Sequence, residues 1–140
     1  MTLRVELRHE NAVIPTKAHP DDIGYDLTAI SVFKKFDNGV VLFDTGLAVA
    51  PPPGYYTEIL PRSSLSKTGW ILANSVGVID PQYRGNLLIA AIKVDRLALD
   101  FSLPFCRFQL IVRKAEQLKL EQVDSLNETE RGHGGFGSTD

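Results

Sequence analysis

A single cysteine, Cys106, is all the thiol this chain carries. No intrachain disulfide can form, and the chain suits a reducing compartment. The three histidines, His9, His19 and His133, show no ligand spacing with one another or with Cys106, which argues against zinc. The apolar run Leu87-Leu88-Ile89-Ala90-Ala91-Ile92 falls far short of the roughly 20 residues a membrane span needs. MTLRVELRHE is too charged to act as a secretory signal. A net charge of −2 is wrong for a protein that grips nucleic acid mainly by electrostatics. There is no G-x-x-x-x-G-K-[ST] loop and no G-x-S-x-G elbow, which excludes a P-loop NTPase and an α/β-hydrolase nucleophile. The expectation is a soluble intracellular protein without a membrane or nucleic-acid partner.

What is present reads as mostly β. With 140 residues and 44% apolar content, the chain has enough material for one well-filled core. Leu3, Val5 and Leu7 alternate with charged residues, the pattern of a half-buried strand. Asp37-Asn38-Gly39 signals a turn before Val40-Val41-Leu42-Phe43. Leu47-Ala48-Val49 follows, and Pro51-Pro52-Pro53-Gly54 interrupts. Tyr55 to Leu60, Leu87 to Val94 and Phe108 to Val112 are further strand candidates. Short strands with frequent breakers predict an all-β, jelly-roll-like barrel. In the acidic stretch Ala115 to Glu130, the spacing of Leu118, Leu120, Val123 and Leu126 predicts a last strand and then a connector. The expected division is a barrel over residues 1–126 and a flexible tail over 127–140.

Several segments carry more polarity than a core requires. Asp21-Asp22-Ile23-Gly24-Tyr25-Asp26-Leu27 offers carboxylates for a divalent cation, or a capped surface turn. Arg62-Ser63-Ser64-Leu65-Ser66-Lys67 puts two cations and three hydroxyls directly after a strand, a phosphate cradle or an ordinary polar loop. Asp80 ends an apolar run and is followed by Pro81. A carboxylate at a strand end is placed either to act as a general base or to cap the turn. A hairpin between Asn74 and Asp80 would form a slot for a flat ring, with Asn74 reading donors and acceptors and Tyr83 as a wall. Gln109 sits inside an apolar strand, where its amide must find a partner in the protein or in a ligand. The tail RGHGGFGSTD has four glycines among ten residues, plus Arg131, Phe136 and Ser138. It reads as a disordered end or as a strap with a charge grip and a stacking ring. Its G-x-G-x-x-G letters are not a dinucleotide fingerprint, because no helix can follow.

Together these segments resemble the homotrimeric type of dUTP pyrophosphatase (dUTPase). IGYDL at Ile23–Leu27, PRSSLS at Pro61–Ser66, GVIDPQYRG at Gly77–Gly85, FQLIV at Phe108–Val112 and RGHGGFGST at Arg131–Thr139 are similar to that family's five motifs, in order. The resemblance implies hydrolysis of dUTP to dUMP and pyrophosphate with Mg²⁺. It implies that Asp80 orients the attacking water and that Tyr83 packs on the deoxyribose, leaving no room for a 2′-hydroxyl. Asn74 and the backbone of Gly77, Val78 and Ile79 would read uracil, with Leu88 lining the pocket. Arg62, Ser63, Ser64 and Gln109 would hold phosphate, and Asp26 would contact the metal through water. Arg131 would grip the γ-phosphate, Phe136 would stack on uracil, and Gly137 and Ser138 would bind phosphate oxygens. It also implies a homotrimer with active sites between subunits.

The chain departs from the family pattern at Ser64, usually glycine, and at Ile23, usually alanine. Arg107 stands two residues before Gln109 where the family's arginine stands three before. The similar dCTP deaminase family uses a glutamate in the strand after the third motif, where this chain has Ala90. A dUTPase-like trimer serving as a regulatory binding module is the non-enzymatic alternative.

Overall fold

The computed structural model describes residues 1–138. Ten strands carry the fold: β1 (Arg4–Leu7), β2 (Tyr25–Ala29), β3 (Ser31–Lys35), β4 (Val41–Asp44), β5 (Leu47–Ala50), β6 (Tyr55–Pro61), β7 (Trp70–Leu72), β8 (Gly77–Ile79), β9 (Leu88–Lys93) and β10 (Phe105–Lys114). The one helical element among the described residues is a short 3-10 turn, Ser63–Lys67. Two four-stranded antiparallel sheets, β2-β10-β6-β8 and β3-β4-β9-β7, face each other, with the pair β1-β5 beside them. The architecture is the expected jelly-roll-like barrel.

Alternation along each strand decides what faces inward. On β10, Phe108 and Leu110 are fully buried, while Gln109 and Ile111 are half-buried and Arg113 is exposed. Leu27 and Ile59 from the same sheet meet Phe43, Ile89, Ala91 and Leu72 from the other in one core. Each such large side chain contributes about 1.5–3 kcal/mol by leaving water. An aromatic cluster closes one end of the core: Phe101 stacks on Phe105 with centroids 4.0 Å apart, and Phe43 meets Phe105 edge-on at 4.9 Å. On the outer face of the first sheet, Glu58 is buried beneath Arg113 and accepts a hydrogen bond from the Tyr56 hydroxyl.

The turn at Asp37-Asn38-Gly39 forms as the sequence predicts. Gly39 takes a positive φ of 97° and the Phe36 carbonyl accepts its N–H. Three expectations need correction. No hairpin joins Asn74 to Asp80: β7 pairs with β9 and β8 pairs with β6, so the chain crosses between sheets at that point. Trp70 and Leu72 are buried in one sheet and Gly77 against the other, so β7 and β8 become edge strands of different sheets. The crossing is made at Ser75, with φ 62°. The predicted strand after Ala115 is absent. β10 runs on to Lys114 and takes the full length of β6. Beyond it Leu118, Leu120 and Leu126 are 81–93% exposed. Finally, Leu7 on β1 is exposed; of the strand's apolar pair only Val5 is half-buried.

Candidate active site

Most of the predicted residues fall into two clefts and a separate tail; Asn74, Gly77 and Ser64 line neither cleft. The first cleft, about 180 Å³, is lined by Val78, Ile79, Asp80, Tyr83, Asn86 and Leu88. β8 ends at Ile79, so Asp80 is delivered to the surface where Pro81 forces a turn. That turn is well braced. The Asp80 carbonyl accepts the Tyr83 N–H at 3.0 Å, and the Arg84 guanidinium donates to the Pro81 and Tyr83 carbonyls at 2.7 and 3.1 Å. The Tyr83 hydroxyl donates to the Asn86 carbonyl at 2.8 Å. Gly85 leaves the space the ring needs, because a Cβ there would overlap the Tyr83 hydroxyl. The result is a mainly apolar slot with one carboxylate and one aromatic wall. Asn74 sits exposed in the sheet crossing, next to Gly77, where a Cβ would press on Ile59.

The second cleft, about 370 Å³, is polar and is lined by Asp22, Gly24, Asp26, Arg62, Ser63 and Gln109, with Ala18 and Ile23. Sheet register assembles it: Asp26 pairs with Gln109, and Gln109 with Leu60, one residue before Pro61 and two before Arg62. The Arg62 guanidinium lies 3.1 Å from the Asp26 carboxylate and donates to the Cys106 carbonyl at 3.0 Å. The Gln109 amide donates to the Pro61 carbonyl at 2.8 Å, which answers the question of its partner. Gly24 is required here because a side chain would overlap the Gln109 carboxamide. Ser63 lines the cleft, whereas the Ser64 hydroxyl is buried without a hydrogen-bond partner among the described residues. Arg107 turns away. It lines a different cavity with Lys67 and Phe101 and reaches the Ser64 carbonyl at 3.4 Å, bracing the 3-10 turn.

No group of three or more His, Cys, Asp or Glu side chains converges among the described residues. Asp26, half-buried beside Arg62, fits an Mg²⁺ that keeps its waters and takes its other oxygens from a substrate polyphosphate. It does not fit a cation caged by protein alone.

The two clefts are well apart on one chain. Asp80 follows the residue paired with Thr57, whereas Gln109 pairs with Leu60. At roughly 3.3 Å per residue and 4.8 Å per strand, their backbones are about 16 Å apart across the sheet. Among the described residues, the tail joins neither cleft. Its Arg131 guanidinium donates to the Gly134 carbonyl at 2.7 Å, and Ser138 Oγ accepts the Gly135 N–H at 2.9 Å. Phe136 is fully exposed with a positive φ of 54°. Gly137 also has positive φ, and Thr139, the last residue of the fifth segment, lies outside the described residues.

The sequence reading missed the supports: Gly24 beneath Gln109, the Cys106 carbonyl beneath Arg62, and Asn86 beneath Tyr83. The glycines at 24 and 85 were legible as signs of close approach; the carbonyls carry no sequence signal.

Residues 10–140 match the dUTPase family. The deoxyuridine 5′-triphosphate nucleotidohydrolase of Solanum lycopersicum is 39% identical over 97% of this chain and 80% of its own length. That of Wolinella succinogenes is 36% identical, covering 99% and 94%. Among solved structures, a Staphylococcus bacteriophage 80alpha dUTPase variant with dUpNHpp superposes with a TM-score of 0.78 at 26% identity, over 98% of this chain and 97% of its own. A dUTPase variant from phage phi11 of S. aureus, described with a structural Mg(II) ion, gives 0.72 at 25% identity over 89% and 98%. Fold, site segments and similarity agree: this chain belongs to the dUTPase family.

Proposed function

We propose that the protein hydrolyses dUTP to dUMP and pyrophosphate. The division of the surface into an apolar slot with one carboxylate and a charged cleft with Arg62, Asp26 and Gln109 carries this reading. A deoxyuridine is a flat polar ring on an apolar sugar and suits the first; a triphosphate suits the second. Asn74 and the backbone of Gly77, Val78 and Ile79 read the uracil edge, with Leu88 against the ring. Tyr83 covers the face of the sugar and excludes a 2′-hydroxyl. Asp80 accepts a proton from water as its oxygen bonds to the α-phosphorus. The bond from that phosphorus to the bridging oxygen breaks, and pyrophosphate leaves with the electron pair. Such displacements need in-line positioning and charge neutralisation more than covalent help. Arg62 and Ser63 supply side-chain donors, the Ser64 hydroxyl being buried behind them, and Gln109 orients phosphate and water. Asp26 would hold Mg²⁺ through water, and the bound ion would supply positive charge beside the phosphates.

The separation of the two clefts on one chain favours sites completed between copies in a homotrimer. We assign residues 127–140 as the strap over that site, distinct from the barrel at 1–126. Arg131 would meet the γ-phosphate, Phe136 the uracil, and Gly137 and Ser138 the phosphate oxygens, with water excluded during reaction. The test is incubation with Mg²⁺ and each of dUTP, dCTP, dTTP and UTP, with product identification. Pyrophosphate from dUTP alone supports the reading; ammonia from dCTP overturns it.

A further inference from the structure

We propose that Asn86 and Asp44 form a positioning pair that sets Tyr83 for sugar discrimination, an inference that rests on the proposed role of Tyr83 at the deoxyribose. The Tyr83 ring is 43% exposed and flanked by Gly85, so packing alone does not hold it. Its fixed point is the hydroxyl, which donates to the Asn86 carbonyl at 2.8 Å. The direction of that carbonyl is therefore what aims the ring.

The Asn86 backbone is clamped on both sides. Its side-chain amide donates to both oxygens of Asp44, at 3.1 and 3.2 Å. Its side-chain oxygen faces the Arg8 guanidinium at 3.4 Å. Asp44 is itself fixed at the end of β4, where it accepts the Gly46 N–H at 2.8 Å. The next residue, Leu87, is fully buried, donates to the Leu47 carbonyl at 2.7 Å and accepts from the Thr45 hydroxyl at 2.8 Å. The peptide that receives the tyrosine hydroxyl thus hangs between a carboxylate clamp and the core. Neither Asn86 nor Asp44 need touch the nucleotide through its side chain; both act through Tyr83. A ring held to within a fraction of an ångström discriminates one hydroxyl, whereas a ring free to swing yields to it.

The pair is tested by reversing it. Asn86→Asp sets two carboxylates against each other and frees the carbonyl. The ratio of kcat/KM for dUTP over UTP should fall roughly tenfold, mainly through a gain on UTP. Asn86→Ala, which removes the clamp without repulsion, should shift the ratio the same way by less. The double variant Asp44→Asn with Asn86→Asp restores an amide–carboxylate bond with its partners exchanged and should recover discrimination. An unchanged ratio in both single variants, or equal losses on both substrates, overturns the pair. Tyr83→Ala separates this from failure of the underlying reading. If that variant still rejects UTP, the gate is not Tyr83 and both ideas fall. If it admits UTP while the Asn86 variants do not, the positioning pair alone is wrong.

Discussion

The two clefts at opposite ends of one sheet differ in almost every physical respect. The Asp80 slot is small and mainly apolar, and its shape comes from a tightly hydrogen-bonded turn. The Arg62 cleft is twice the volume and charged, and its shape comes from three neighbouring strands in register. One suits a ring and a sugar; the other suits anions. The difference teaches that the chain keeps an apolar recognition slot apart from a charged cleft; under the proposed function their union falls to assembly. The tail, whose hydrogen bonds stay within residues 129–138, belongs to neither.

The sharpest way to break this comparison is Asp80→Asn, which should cost roughly 10²–10⁴ in kcat for dUTP with binding retained. Single-turnover kinetics and nucleotide binding would separate the two; near-normal turnover would refute the role of Asp80. Next in size is complementation. Asp80→Asn and Arg62→Ala chains should each be nearly inactive, and co-refolded mixtures should regain a substantial fraction of activity, because some sites then take Asp80 from one copy and Arg62 from another. A mixture no better than its parts would place both clefts in service within one copy. Removing residues 131–140 should lower kcat/KM for dUTP roughly 10²-fold. Thermal denaturation should change little, since the described residues of that segment lie outside the core.

The smallest effect tests a surface pair away from both clefts. Lys93 hydrogen-bonds to Asp100 at 2.7 Å and holds its carboxyl below the usual aspartate range. A folded-state value below the unfolded one stabilises the fold above the ordinary aspartate range and stops doing so as pH falls through the lowered value. Asp100→Asn should therefore lower Tm slightly at neutral pH, a small change for an exposed pair. The gap from wild type should close in acid.

Much of the site was legible because its chemistry needs particular residue types at breaks in the strand pattern. Asp80 before a proline, Arg62 after a strand and Gln109 between apolar neighbours each stood out locally. The Asn74–Asp80 hairpin was misread because two short strands close in sequence look like partners, and only burial sends them to different sheets. The strand expected beyond Ala115 was misread because spaced leucines carry no information about whether a partner edge is free. Asn86 and Asp44, 42 residues apart, gave no sign of each other.

By itself, the sequence determined an all-β chain, the positions of several of its strands and turns, and a set of candidate side chains at the breaks between them. These follow from alternation, breakers and residue type, all of which act over a few neighbours. The tertiary structure alone decided which side chains meet. Asp26 reaches Gln109, and Arg62 reaches Asp26, only through pairing between strands distant in the chain. It also decided that Asp80 stands apart from them. Register is set by core burial and ladder hydrogen bonds summed over whole sheets, a quantity no local segment carries.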